Sequence, residues 1–264
     1  MSRPVRVAVL GASGRMGRMV VKEALESPDF QLVGAVASRS AGIDAGTLAG
    51  LAPAGILCAG LAPGVFEDAD VVVDFSLPEA LDAALPFLGG SALVTGTTGL
   101  PERVIAALEA CASRTPILEA ANFSTGVTLL AHLVTQAAAA LPDYDVEIVE
   151  IHHRLKQDAP SGTALALGEA AAAGRGVALA DLARHGRAGR TGVRPSGEIG
   201  FHAVRGGDVV GEHTVWLAGP GERVMLGHIA SSRATFAQGA LRAAKWLAGR
   251  SPGRYTMKSV LGIA

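Results

Sequence analysis

Cysteine is scarce in this chain. Only Cys58 and Cys111 occur in 264 residues, each in an apolar neighbourhood and outside CxxC spacing, which excludes a disulfide framework and a thiolate zinc site and fits a reducing cytoplasm. An excess of either charge is also missing. With 23 Lys and Arg against 24 Asp and Glu, nothing draws the chain as a whole to nucleic acid or an anionic membrane. Long apolar runs are lacking too: the most apolar helical segment, 127–141, carries His132 and Gln136 and falls short of a membrane span. The opening MSRPVRVAVLG runs into a strand pattern and does not read as a secretory leader. The expectation is a soluble, cytoplasmic protein with a small-molecule partner, no nucleic acid, no membrane and no metal. What is abundant is apolar residues, 49% against 18% charged, enough for one large core or two ordinary ones and incompatible with general disorder.

Along the first 120 residues, nearly continuous apolar runs alternate with helical patterns. VRVAVL (5–10), QLVGAVA (31–37), VVVDF (71–75), SALVTG (91–96) and TPILEA (115–120) read as strands covered on both faces. Pro78 and Pro101 open helices between them, as first-turn prolines do. This succession predicts a parallel, doubly wound α/β sheet. After about Asn122 the style changes. A helix over 127–141, the strand DVEIVEIHH (145–153) and a helix over 161–173 precede the alternating runs EIGFHAVR, DVVGEHTVWLAG and ERVMLGHIAS. Gly206-Gly207 and Gly219-Pro220-Gly221 punctuate these runs as hairpins, which predicts an open mixed sheet in a second, α+β domain. Residues 173–197, rich in Gly and Arg, read as a long mobile connection, and the amphipathic helix over 234–249 as a return to the first domain. The expected domains are thus 1–123 with 233–264, for a dinucleotide, and 124–232, for substrate and oligomerisation.

The turn VAVLGASGRMGRMVV places Gly11, Gly14 and Gly17 between a strand and a helix. Glycine there allows a tight turn, brings backbone N–H groups close to a phosphate and seats that phosphate over a helix N-terminus, as in a Rossmann-like fold. The spacing is GxxGxxG, with Ser13 where the commoner fingerprint has its middle glycine, so a tight turn without ligand is the competing reading. At the end of the second strand, Ser38 stands where an acid would hold ribose hydroxyls, and Arg39 follows. A cation and hydroxyls in that place favour a 2′-phosphate, hence NADPH over NADH, unless Arg39 is merely solvated.

The stretch EIHHRLKQDAPSGTA (150–164) gathers His152, His153 and Lys156 before a helix start. Adjacent side chains at a strand end point to opposite faces, so the two histidines are poor joint metal ligands. One imidazole facing a cleft would carry protons near neutral pH, Lys156 would donate a proton or hold an anion, and the helix start would seat a carboxylate. Taken alone, such a cluster is more often solvated surface than a catalytic site.

At these residues the sequence resembles the dihydrodipicolinate reductase family, the 4-hydroxy-tetrahydrodipicolinate reductases of diaminopimelate and lysine biosynthesis. GASGRMGR (11–18), GTTG (96–99), AANFSTGV (120–127), EIHHRLKQDAPSGTA, VRGGDVVGEHTV (204–215) and SSRATFAQGA (231–240) carry the resemblance over nearly the whole chain. It implies that His152 donates or accepts a proton, that Lys156 donates one, and that His153 with the Gly162 and Thr163 backbone binds substrate. Arg233 is a further candidate for a substrate carboxylate, with a structural ion pair as the alternative. The cofactor site would be lined by Gly11, Ala12, Ser13, Gly14, Arg15 and Met16, by Gly96, Thr97 and Thr98, and by Ala120, Ala121, Asn122 and Phe123, with Ser38 and Arg39 at the adenosine end. Ser38 replaces an acid of the better-known pattern, and Leu77 stands where an arginine assists the 2′-phosphate, which leaves Arg39 and Arg15 to hold it.

The expected reaction is NAD(P)H-dependent reduction of a small cyclic dicarboxylate, 4-hydroxy-tetrahydrodipicolinate, to tetrahydrodipicolinate with loss of water. Domain closure near Phe123 and Arg233 is expected to assemble the site, and the resemblance implies a homotetramer built through the second domain's sheets. Two other readings stand beside it: another NADP-dependent dehydrogenase of an amino acid or semialdehyde, and a dinucleotide-sensing protein without catalysis.

Overall fold

A computed structural model describes residues 3–263. In chain order the elements are β1 (Val5–Leu10), α1 (Arg15–Glu26), β2 (Phe30–Val36), α2 (Ala45–Leu48), β3 (Val71–Asp74), α3 (Pro78–Ala84), β4 (Ala92–Thr95), α4 (Glu102–Ala112), β5 (Pro116–Glu119), α5 (Thr125–Ala140), β6 (Asp145–His152), α6 (Gly162–Gly174), β7 (Ala183–His185), β8 (Ile199–Arg205), β9 (Gly211–Gly219), β10 (Glu222–Ala230), α7 (Ala234–Leu247), β11 (Gly253–Tyr255) and α8 (Met257–Leu261). They divide into two compact units. One runs to Phe123 and resumes at Ala234–Ile263; the other is Ser124–Arg233.

The first unit is built on a six-stranded parallel sheet in the order β11-β5-β4-β3-β1-β2. Every residue of β3 and β4 is buried, which is why those runs carry no polar alternation until Asp74 and Thr95 at their C-terminal ends. Strand order reverses on either side of β1, and the loops after β1, β3, β4 and β5 gather at the C-terminal edge. α7 packs on this sheet through small residues. A Cβ on Gly239 would lie 1.8 Å from the Phe123 carbonyl oxygen, so only glycine admits the helix at that distance.

The second unit is a five-stranded mixed sheet in the order β10-β9-β6-β8-β7. Here the structure departs from expectation. Gly206-Gly207 does not make a hairpin: β8 runs parallel to β6, β9 lies on the far side of β6, and β8 and β9 are not neighbours. The glycine pair is instead part of a crossing over the end of β6, where Gly206 N–H donates to the His152 carbonyl. The β9–β10 pair is a true hairpin, turned by Pro220 and Gly221. Residues 173–197 are likewise more structured than a mobile connection. They include the edge strand β7 and two arginines, Arg187 and Arg194, that pair with Glu147, Glu198 and Asp145.

α5 and α6 cover one face of this sheet. The inward row of β6 reads Val146, Ile148, Glu150, His152; the first three pair with Leu217, Val215 and His213 on β9, and Gly211 of that strand lies beside His152. Alternation thus sends four residues of each strand inward, apolar at one end and ionisable at the other. The core turns into a polar site without a change of secondary structure.

Candidate active site

The cofactor candidates of the first unit lie in the loops at the C-terminal edge of its sheet. Gly11 has φ +82°, and a Cβ there would come 2.7 Å from the Phe75 carbonyl oxygen. A Cβ on Gly17 would lie 2.1 Å from the Gly11 carbonyl oxygen, so the first turn of α1 packs directly on the loop. Gly14 is the N-cap and supplies no side-chain cap, which leaves the first-turn N–H groups of a 12-residue helix for another acceptor. The loop is bound to β2 by donation from Gly11 and Ala12 N–H to the Val36 carbonyl, two residues before Ser38. Ser38 and Arg39 are both exposed in a short 3-10 turn at that end. Gly96 follows β4 against an edge-to-face pair of Phe75 and Phe123, and a Cβ there would strike the Phe75 ring at 2.2 Å. Ala120 N–H donates to the Thr95 carbonyl, so the 120–123 segment lies beside the Gly96–Thr98 loop. Thr98 and Ala121 are exposed, and Asn122 is half-buried. This glycine-cradled edge fits a dinucleotide.

A buried carboxylate holds these loops together, and sequence reasoning missed it. Asp74 is fully buried and accepts from Thr95 Oγ1 and Thr97 Oγ1, both at 2.7 Å, and from the Ser76 N–H and hydroxyl. Burial pushes its pKa up, against the opposing pull of those four donors. The signal was present in VVVDF, where one acid ends an otherwise apolar strand.

In the second unit the structure brings His152, Lys156 and the α6 start into one constellation. His152 is buried at the end of β6, and its Nδ1 meets Glu150 Oε2 at 2.5 Å. Burial pulls the imidazole pKa down while Glu150 pulls it up, and the net direction is down. Glu150, 1% exposed, also accepts from both terminal nitrogens of Arg205, at 2.8 and 2.7 Å, and from Ser161 N–H at 3.1 Å. Burial would raise its pKa, but these donors outweigh it and hold the carboxyl below the usual range. The Arg205 Nη2 reaches on to the Asp158 carbonyl, inside the loop that carries Lys156, and Lys156 Nζ pairs with Asp158 at 2.9 Å. Ser161 caps α6 by accepting from Ala164 N–H, and its hydroxyl also meets His213 Nε2 at 3.2 Å. Burial lowers the His213 pKa to about 4, so that ring is neutral at physiological pH.

His153 is half-buried just past the strand, its N–H bonded to the Val209 carbonyl and its Nδ1 buried with no hydrogen-bond partner among the described residues. Gly162 is exposed and Thr163 half-buried in the first turn of α6. Arg233, exposed between β10 and α7, forms no ion pair and no hydrogen bond with this cluster among the described residues. Glu150, Arg205 and His213 were not singled out from sequence. A glutamate on the inward phase of an alternating strand was the available clue.

Comparison with known proteins decides the relationship. The family descriptions "Dihydrodipicolinate reductase, N-terminus" and "Dihydrodipicolinate reductase, C-terminus" match residues 5–123 and 126–261. The chain belongs to the dihydrodipicolinate reductase family. Among its relatives, the 4-hydroxy-tetrahydrodipicolinate reductase of Alkalilimnicola ehrlichii is 51% identical, covering 98% of this chain and 99% of the other. That of Parvibaculum lavamentivorans is 49% identical over the full length of both. Among solved structures, dipicolinate-bound dihydrodipicolinate reductase from Paenisporosarcina sp. TG-14 shares the fold, with TM-score 0.73 and 24% identity over 96% of this chain and 97% of that one. The dihydrodipicolinate reductase family therefore accounts for both units in one order. Among the described residues, no helix is long and apolar enough to cross a membrane.

Proposed function

We infer that this reductase converts 4-hydroxy-tetrahydrodipicolinate to tetrahydrodipicolinate with loss of water, with NADPH preferred over NADH. The observation that carries the reading is the constellation of His152, Lys156 and the capped start of α6 in a chain whose relatives, about half identical, bear that enzyme's name. The glycine loop from Gly11 to Met16, the Gly96–Thr98 loop and the 120–123 segment would hold the dinucleotide, with Ser38, Arg39 and Arg15 at its 2′-phosphate. When bound, the reduced nicotinamide supplies a hydride.

The residues of the second unit handle protons and carboxylates. Lys156, as an ammonium, gives a proton to the ring carbon that becomes electron-rich, and His152 relays protons through its nitrogen away from Glu150. One substrate carboxylate rests on the first-turn N–H groups of Gly162 and Thr163; the other is held by His153, Lys156 or Arg233. The buried Nδ1 of His153 supports that role, since a buried polar nitrogen is satisfied by a bound partner or by water.

Self-assembly through the sheet of the second unit belongs to the same reading. Its outward face carries Trp216, Val149, Ile151, Met225 and Ile229, with Met225 56% and Ile229 68% exposed, and neither α5 nor α6 covers it. A homotetramer in the cytoplasm is the expected form. A coupled assay tests the activity: pyruvate, aspartate semialdehyde and the upstream synthase generate substrate, and oxidation of NADPH or NADH is followed. Substrate-dependent oxidation with higher kcat/KM for NADPH is expected. A protein that binds NADPH without oxidising it would instead be a sensor.

A further inference from the structure

The buried face of β6 contains an ionised group for which proton relay and substrate binding have no direct use. Glu150 lies on the Nδ1 side of the histidine, away from its open edge, and it receives four donors from three parts of the fold: His152 on its own strand, both terminal nitrogens of Arg205 on β8, and Ser161 N–H at the α6 start. A carboxylate so placed, with almost no solvent contact, would be costly if its role were only to fill the core. It sits one turn of the strand pleat from His152, so the two side chains share a face by register alone.

We propose that Glu150 is the positioning residue of the active site: with Arg205 as its clamp, it fixes the proton of neutral His152 on Nδ1, leaves Nε2 as the working nitrogen, and ties that ring to the Lys156 loop. The proposal rests on the reading of His152 as the proton relay. An ionised carboxylate only accepts, so the ring nitrogen facing it donates, and the other nitrogen of a neutral imidazole is then the acceptor. Among the described residues no group hydrogen-bonds to Nε2.

Gly211 gives an independent observation. On the neighbouring strand, a Cβ at this position would come 3.0 Å from His152 Nε2 and 3.4 Å from Cδ2. The chain therefore has no side chain at a β9 position where a Cβ would press on the working nitrogen. Arg205 completes the device. Its Nη2 bonds both Glu150 and the Asp158 carbonyl, and Asp158 in turn pairs with Lys156 Nζ, so displacement of the carboxylate would loosen ring and lysine together.

Charges face His152 from every side: Glu150 on β6, Lys156 in the following loop, Arg205 on β8, and the ring of His213 on β9, 5.1 Å between centroids. Exchange of Glu150 for a neutral amide removes the only anion of this set and leaves the cations. His152 in Glu150→Gln should titrate at lower pH, by about one unit or more.

The test is nitrogen NMR on protein labelled in its histidine rings, with His152→Gln to assign the signal. Wild-type His152 is expected to carry its neutral-form proton on Nδ1. In Glu150→Gln the signal should shift toward the Nε2–H form and the midpoint should fall, with kcat down about tenfold or more, KM for NADPH within about twofold, and partial rescue in Glu150→Asp. A wild-type His152 protonated on Nε2 overturns the proposal, whether or not any variant folds. So does a folded Glu150→Gln with unchanged midpoint and kcat. Because the ring signals need no turnover, a wild-type protein inactive on the substrate would sink the functional reading while the tautomer still decided the role of Glu150.

Discussion

Gly17 faces the carbonyl oxygen of Gly11 so closely that a Cβ would sit 2.1 Å from it, with the Gly11 carbonyl carbon at 2.8 Å. Neither atom is the end of a flexible side chain, so the contact is relieved only by moving the loop off the helix. Gly17→Ala should therefore abolish measurable NADPH binding in a fluorescence titration, while Gly14→Ala, whose Cβ would lie 3.2 Å from the same oxygen, should weaken it less. Equal affinities for the two variants would argue against a phosphate seat there.

Arg39 should decide between the two nicotinamides. If it holds the 2′-phosphate, Arg39→Ala raises KM for NADPH by about 10–100-fold, as befits a lost charge-assisted hydrogen bond, and leaves KM for NADH nearly unchanged. Steady-state kinetics with both cofactors checks this.

Lys156→Ala should lower kcat by about 10²–10⁴-fold without altering NADPH affinity, as expected for a lost general acid. Single-turnover kinetics together with a binding titration separates the two effects. Unchanged turnover would remove Lys156 from the proton transfer.

The second unit should be acid-labile through Glu147. Burial alone would raise its pKa, but Arg187, His202 and Arg194 together hold it down at about 2, from an ordinary 4.5. A folded pKa below the unfolded one means stability that is complete above about 4.5 and is lost as the pH falls toward 2. The linked contribution is on the order of 3 kcal/mol. Glu147→Gln should flatten the pH dependence of urea unfolding across that window. Trp216 lies opposite Glu147 on β9, so in a Trp246→Phe background its fluorescence reports this unit.

The strongly local features were legible in the sequence. The parallel sheet could be read because its strands are covered on both faces, and the glycine turn because the packing of Gly17 on the Gly11 carbonyl is made within seven residues. What escaped were choices made at long range. Gly206-Gly207 looks like a hairpin to any local reading, yet β6 takes the place between β8 and β9, and strand partners are selected by burial across the whole sheet. The 173–197 segment looked mobile because its arginines find their carboxylates 40 to 49 positions away, at Glu147 and Asp145. Glu150 and Asp74 were passed over for a related reason. Glu150 sits on the inward phase of an alternating strand and Asp74 at the end of an apolar one, and the meaning of each lies in donors from other elements: Arg205 for the first, Thr95 and Thr97 for the second.

The most direct measurement is the mass of the product formed with cofactor deuterated at nicotinamide C4, prepared in both stereochemical forms. One form should deliver a single deuterium to tetrahydrodipicolinate at a rate that collapses in Lys156→Ala, while the other delivers none. Product without deuterium from either form, at wild-type yield, would contradict hydride transfer by this enzyme.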